Sequence, residues 1–312
     1  MAIPKNNPTF LTSTTDRRTF ITSLTKAVGA SALLASPFVT NAGSLNFPQQ
    51  SYTVKQIIDL FLKEIPEAPF DKTVDTLKSG SMDTKVTGIV TTMFATVEVI
   101  RKAIDLKANF IIAHEPTFYS HQDDTEWLQK DEVYQYKANL LKQHNITVWR
   151  NHDYLHTHKP DGVMAGLVAA LSWQKYVQSG SQARFVLPAT SLKDVISHVK
   201  SKLNIQMVRY VGDPTQSCQK VLLLPGASGA RRHIAEIEKE KPDVVLVGEA
   251  QEWETVEYVR DARAKGDKLS LVLLGHAVSE EPGAEWMASW LKSKFSGLKV
   301  THVVSKNPLS FM

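Results

Sequence analysis

The sequence predicts an α/β protein of two lobes with mostly parallel sheets, and three observations carry that reading. Short apolar runs alternate with amphipathic stretches, the pattern of parallel strands joined by right-handed helical crossovers. A segment of linker composition, Gln178-Ser179-Gly180-Ser181-Gln182, interrupts the alternation and places lobes over residues 51–180 and 181–312. Three apolar runs end in imidazole and carboxylate groups: His114-Glu115, His152-Asp153-Tyr154-Leu155-His156, and His276 with Glu280. Beyond the carboxyl ends of its strands an open α/β sheet leaves a crevice for ligands, so the three ends predict one polar site.

The elements follow in order. Val54, Ile57, Ile58 and Phe61 fall at helical spacing and predict a helix over 54–65. A strand is expected at 86–91, then a helix over 96–106 with Val97, Ile100 and Ile104 on one face. The run 109–113 is too short for a helix and reads as a buried strand that delivers His114. Polar residues 120–125 read as a loop at the mouth of the crevice. A helix over 131–144 leads into a strand over 146–150, and Asp161-Gly162 turns the chain into a helix over 163–171. In the second lobe, strands at 221–224, 243–247 and 269–274 alternate with helices at 231–239 and 254–264. A last helix, with Met287, Trp290 and Leu291 on one side, is expected to cover that second sheet.

Composition excludes several classes. A hydrophobic content of 43% over 312 residues is enough for a real core. The formal charge of +4 owes much to Lys5, Arg17, Arg18 and Lys26, so the body is near neutral and lacks the basic face of a nucleic-acid binder. Cys218 is the single cysteine, which rules out an internal disulfide and a cysteine-based zinc cluster, and a structural thiol is expected. Near the start, Arg17-Arg18 precede Phe20 and a mildly apolar run over 27–39, followed by small residues around Ala42. This order resembles a twin-arginine export signal over residues 1–42, removed on export to the periplasm or another extracytoplasmic space. The run falls short of the roughly 20 apolar residues that span a bilayer, so no permanent membrane anchor is expected. Such export carries folded proteins and suits one loaded with metal beforehand.

The strand-end groups carry the chemistry. His276 and Glu280 lie four apart and share a face if the segment turns helical. His114 and Glu115, being adjacent, point differently and suit two neighbouring metals. Asp153 either binds metal or orients an imidazole as an acceptor behind it. The turn Pro225-Gly226-Ala227-Ser228-Gly229 lacks the lysine of a phosphate-binding loop and reads as a tight strand-to-helix turn.

At these residues the chain resembles the Nif-three-like family (Ngg-one-interacting factor three), often labelled GTP cyclohydrolase 1 type 2. The resemblance runs from the helix near Val54 to Asn307-Pro308. It is most specific at Ile111-Ile112-Ala113-His114-Glu115-Pro116-Thr117-Phe118, at Gly248-Glu249, and at Gly275-His276-Ala277-Val278-Ser279-Glu280. It implies two divalent metal ions in the cleft between two α/β lobes. The sequence departs from the family twice, with Glu115 where a second histidine would stand and His156 where an aspartate would. The implied ligand set is therefore His114, Glu115, His156, His276 and Glu280, with Glu280 or Glu115 bridging. Zinc, iron or manganese suits such donors.

Two cations about 3.5–4 Å apart acidify a shared water and stabilise negative charge on the attacked group, so the expected reaction is hydrolysis of a small molecule, with a nucleotide-like heterocycle suggested by the family label. Glu249, Glu252 and His152 are the candidates for acid/base catalysis. The competing reading is a non-catalytic metal-binding or scaffold protein exported in folded form. The resemblance also implies a homo-oligomer, commonly a hexamer.

Overall fold

The computed structural model describes residues 51–310 and residue 312. The export signal read over 1–42 lies outside the described residues. Helix α1 (Val54–Leu62) opens with a reciprocal cap: the Thr53 hydroxyl accepts from the Gln56 N–H at 3.3 Å, and the Thr53 N–H donates to Gln56 Oε1 at 2.9 Å. Strand β1 (Leu77–Ser79) follows, then β2 (Ile89–Thr92), α2 (Val97–Asp105), β3 (Phe110–Ala113), α3 (Glu132–Gln143) and β4 (Thr147–Arg150). A one-turn helix α4 (Asp153–Thr157) and α5 (Gly162–Leu171) close this half.

The second half runs β5 (Arg184–Ser191), α6 (Leu192–Leu203), β6 (Arg209–Val211), β7 (Ser217–Leu224), α7 (Gly229–Glu240), β8 (Val244–Val247), α8 (Glu257–Ala264), β9 (Ser270–Leu273), α9 (His276–Lys294) and β10 (Val300–His302). Two five-stranded sheets result, ordered β1-β4-β3-β2-β10 and β5-β7-β8-β9-β6. Within each, the inner strands pair in parallel and antiparallel strands lie only at edges: β1 in the first sheet, β5 and β6 in the second. Every residue of β2, β3, β4, β8 and β9 is buried, as expected when helices cover both faces of a parallel sheet.

Register decides where the site falls. Ala113 lies opposite Arg150, so β3 and β4 end level, and the Asn151 N–H donates to the Ala113 carbonyl at 2.9 Å. In the other sheet Leu224 faces Val247 and Val247 faces Leu273, which aligns the exits of β7, β8 and β9.

One expectation about the core is corrected. Met287, Trp290 and Leu291 pack with Val54, Ile57, Phe61, Trp149 and Val300 in the core of the first sheet, not the second. The helix begins at the exit of β9 but its 19 residues extend about 28 Å, far enough to cross to the other sheet, where β10 then joins β2. Two glycines let it lie close to α5: a Cβ on Gly166 would meet the Pro282 carbonyl oxygen at 2.2 Å, and one on Gly283 would meet Val163 Cα at 2.8 Å. Among the described residues, no helix is long and apolar enough to cross a membrane. Cys218 is buried, and burial pushes its thiol up to about 11, the behaviour of an inert structural group.

The segment after Glu115 is strapped from below by cationic side chains. Lys137, buried in α3, donates to the Thr117 carbonyl at 2.6 Å, and Lys78 stands 3.1 Å from Asp123, whose side chain is 2% exposed. Burial pushes the Lys137 ammonium down to about 8. Its unfolded value is near 10.4, so between those values the unfolded chain binds more protons and stability rises with pH. The rise is expected to be about 3 kcal/mol between pH 8 and 10.4. Chemical denaturation across that range checks it: Lys137→Met should flatten the slope.

Candidate metal centre

The level strand ends bring the predicted side chains together. β3 delivers His114 and Glu115; the turn after β4 delivers His152, and α4 carries His156 one turn on. β9 leads through Gly275, whose φ of 100° permits the turn, into His276 and Glu280 on the first turns of α9. Asp75 fixes the start of α4. Its Oδ1 accepts from the His152 N–H at 2.7 Å and its Oδ2 from the Tyr154 N–H at 2.8 Å. Burial pushes this carboxyl up to about 6 against those two hydrogen bonds.

Each imidazole of the cluster is held by its Nδ1. His114 Nδ1 donates to the Asn151 carbonyl at 3.1 Å, His152 Nδ1 to Asp153 Oδ1 at 2.8 Å, His156 Nδ1 to Asp161 Oδ2 at 3.1 Å, and His276 Nδ1 to Glu249 Oε2 at 3.3 Å. An imidazole whose Nδ1 carries the donated proton presents a lone pair at Nε2, and each of the four Nε2 atoms faces one or both of two carboxylates, Glu115 and Glu280. Glu280 Oε2 lies 3.3 Å from His114 Nε2 and 3.1 Å from His276 Nε2, and its Oε1 lies 3.8 Å from His156 Nε2. Glu115 Oε1 lies 3.2 Å from His276 Nε2 and 3.7 Å from His152 Nε2.

Electrostatics follow from this crowding. Burial resists ionisation of Glu280, yet the adjacent His114 and His276 rings hold its carboxyl well below the usual range. Burial also opposes charge on His276, but Glu115 and Glu280 overcome it and raise the ring to about 10. His152 goes the other way: desolvation, with the neighbouring His114 charge adding to it, pushes it down to about 4. Protons on the imidazoles thus offset carboxylate charge where a cation would otherwise do so.

The donor set fits a metal ion. His114 Nε2 is wholly buried and makes no hydrogen bond of acceptable geometry, although Glu280 stands beside it. Donor atoms of His114, His152 and His156, and of His114, Glu115 and Glu280, lie within 4.8 Å of one another, so these groups could hold a metal. His114, Glu115, His156, His276 and Glu280 therefore surround one space. Glu249 lies behind His276 with its carboxylate half exposed, and Asp153 lies behind His152, held by the Thr73 hydroxyl at 2.8 Å and the Val74 N–H at 3.2 Å. Glu252 is not brought in: it pairs with Arg209 at 2.8 Å on the surface, with 73% of its side chain exposed. A backbone kink at Glu254 (φ −107°, ψ −108°) marks the turn that carries it.

Sequence reasoning passed over several groups that shape the site. Asp75 and Asp161 act from loops with no periodic pattern. Gly226, treated as part of a tight turn, has a φ of 70° and sits against Glu280, whose Oε1 a Cβ would meet at 2.1 Å. Arg150 ends a buried strand and reaches Glu115 at 3.1 Å; a charge closing an apolar run beside His152 was the visible signal.

A profile of the DUF34/NIF3 (NGG1p interacting factor 3) family matches residues 52–308. Among individual proteins, the chain is 24% identical over 244 residues to a Clostridium acetobutylicum protein named GTP cyclohydrolase 1 type 2 homolog, covering 74% of this chain and 87% of that one. A Chlamydia pneumoniae protein of the same name is 23% identical over 244 residues, covering 74% and 89%. Among solved structures, the Staphylococcus aureus hypothetical protein SA1388 is similar with a TM-score of 0.68 at 19% identity, covering 84% of this chain and all of that one. HcgD from Methanocaldococcus jannaschii is similar with a TM-score of 0.62 at 17% identity, covering 81% and 98%. At such identities the structural likeness speaks for the fold.

Proposed function

The chain belongs to the DUF34/NIF3 family, and from that premise we propose that it is a metal-dependent hydrolase that uses two divalent cations on a small molecule, with a nucleotide-like heterocycle as the substrate class. The observation that supports it most is the convergence of four Nε2 atoms, each ring held at Nδ1, on Glu115 and Glu280. Bound there, a cation pair supplies charge that acidifies water and stabilises negative charge on the attacked group.

The protein's own groups divide the remaining work. His114, Glu115, His156, His276 and Glu280 would hold the cations. His152 is the general base. Its ring, pushed down to about 4, is uncharged at neutral pH and can take a proton at Nε2, while Asp153 at Nδ1 stabilises the charge that results. Glu249 keeps His276 turned inward and, being half exposed, stands where it can exchange protons with solvent. Folded export, a homo-oligomeric state and zinc, iron or manganese as the metal remain parts of the same proposal.

Elemental analysis of the purified chain, coupled to a hydrolysis panel of nucleotides, cyclic amides and phosphoesters, tests it. His152→Gln is expected to lower turnover by about 10²–10⁴ with the metal retained; metal lost together with turnover would instead make His152 a ligand beside His114 and His156. Full metal occupancy with no turnover on any panel member would instead favour a non-catalytic metal-binding protein.

A further inference from the structure

Arg150 is wholly buried at the end of β4, a position that ordinary burial rules give to an apolar residue. Its Nε donates to the His114 carbonyl at 3.3 Å, its Nη1 donates to the His121 carbonyl and lies 3.4 Å from Asp123 Oδ2, and its Nη2 lies 3.1 Å from Glu115 Oε2. Two carboxylates therefore face one guanidinium. Asp123 is already matched, because Lys78 stands closer to the same Oδ2 oxygen, at 3.1 Å. The arginine charge falls on Glu115.

This makes the two carboxylates of the cluster unequal. Glu115 is divided, with Oε2 on Arg150 and only Oε1 toward the imidazoles. Glu280 has both oxygens toward imidazoles, and its ion-pair partners among the described residues are His114, His156 and His276. An imidazole at position 115 would leave the buried guanidinium with only Asp123, a carboxylate that Lys78 already shares, so Glu115 and Arg150 belong together as a unit.

We propose that Arg150 is a positioning residue that withholds one oxygen of Glu115 from the cluster and offsets its charge, so that Glu280 bridges and holds the tighter cation while the position beside Glu115 is the weaker, exchangeable one. The inference rests on the two-cation reading above. Bidentate binding by Glu115, which a free carboxylate would allow, is blocked for as long as the guanidinium occupies Oε2.

Zinc titration of the metal-stripped full chain against a competing chelator tests both readings and tells them apart. The native chain should show two classes of site. Arg150→Met, or Arg150→Gln where an amide is needed to keep the fold, should tighten the weaker class by about tenfold or more, since a full opposing charge one carboxylate away is removed. The tighter class should move by less than about twofold, as expected for a charge screened by distance. Arg150→Lys should keep the native inequality, and Glu115→Gln, which leaves Arg150 in place, should abolish the weaker class alone. Two native classes unmoved by Arg150→Gln, or both classes weakened together in every variant, would overturn the role of Arg150 and leave the cation pair standing. One class in the native chain and two in Arg150→Gln would uphold the arginine's role and sink the native pair. One class throughout would overturn both.

Discussion

Glu280→Ala protein is expected to fold and to lose its cations. The side chain is 4% exposed and is the one carboxylate whose two oxygens both face ring nitrogens, so no neighbour replaces it. Helix α9 does not depend on it for anchorage, because Met287, Ala288 and Leu291 fasten the helix to the first sheet. Metal retained after dialysis against a chelator should fall by about a hundredfold or more, beyond the 10–100-fold typical of groups that merely orient ligands. Circular dichroism should report an intact helix content. Glu280→Gln, which fills the same space without the charge, separates the loss of a ligand from the opening of a cavity. Metal retention in both variants equal to the native chain would remove Glu280 from the centre of the site and with it the proposed function.

Gly226→Ala should reach the same carboxylate from the turn after β7. At a φ of 70° any side chain costs about 1–2 kcal/mol, and here the Cβ would also lie 2.1 Å from Glu280 Oε1 and 2.8 Å from its Cδ. The carboxylate must move, and its second oxygen should leave the space before His156. Gly229→Ala is the matched control: its φ of 80° carries the same backbone cost, but nothing lies within 4 Å of the added carbon. Both variants should melt lower, Gly226→Ala by the larger amount, and Gly226→Ala alone should lose metal affinity, by about tenfold or more. Equal metal binding in the two would mean that the turn after β7 does not shape the site.

Much of the fold was legible because its inner strands are short, wholly apolar runs bounded by turns. The expected strands at 109–113, 146–150, 243–247 and 269–274 each contain an observed one, and the helices expected at 231–239 and 254–264 are present as α7 and α8 in the same order. Strands β1, β5, β6 and β10 and helix α6 were not anticipated. β1, β6 and β10 have three residues each, too few for an alternating pattern to show, and all four strands lie at sheet edges where burial is partial. The polar loop expected at 120–125 is a loop, but Asp123 within it is buried between Lys78 and Arg150, a partnership that nothing local announces.

The residues alone determined the chemistry available here: imidazoles and carboxylates at strand exits, a lone inert thiol, alternating elements that must pair in parallel. Those follow from composition and periodicity, which act over a few residues. Tertiary structure decided which groups meet. The registers that make β3 end level with β4, and β7, β8 and β9 with one another, set His114, His152, His156, His276, Glu115 and Glu280 face to face, and they turn Glu252 out to Arg209. Tertiary structure also chose the sheet that α9 covers, since a helical stripe of Met287, Trp290 and Leu291 records that a face is buried but not against what. The same limit hid Arg150: its charge is visible in the sequence, but its partner is 35 residues away, and only the folded chain brings that carboxylate within 3.1 Å.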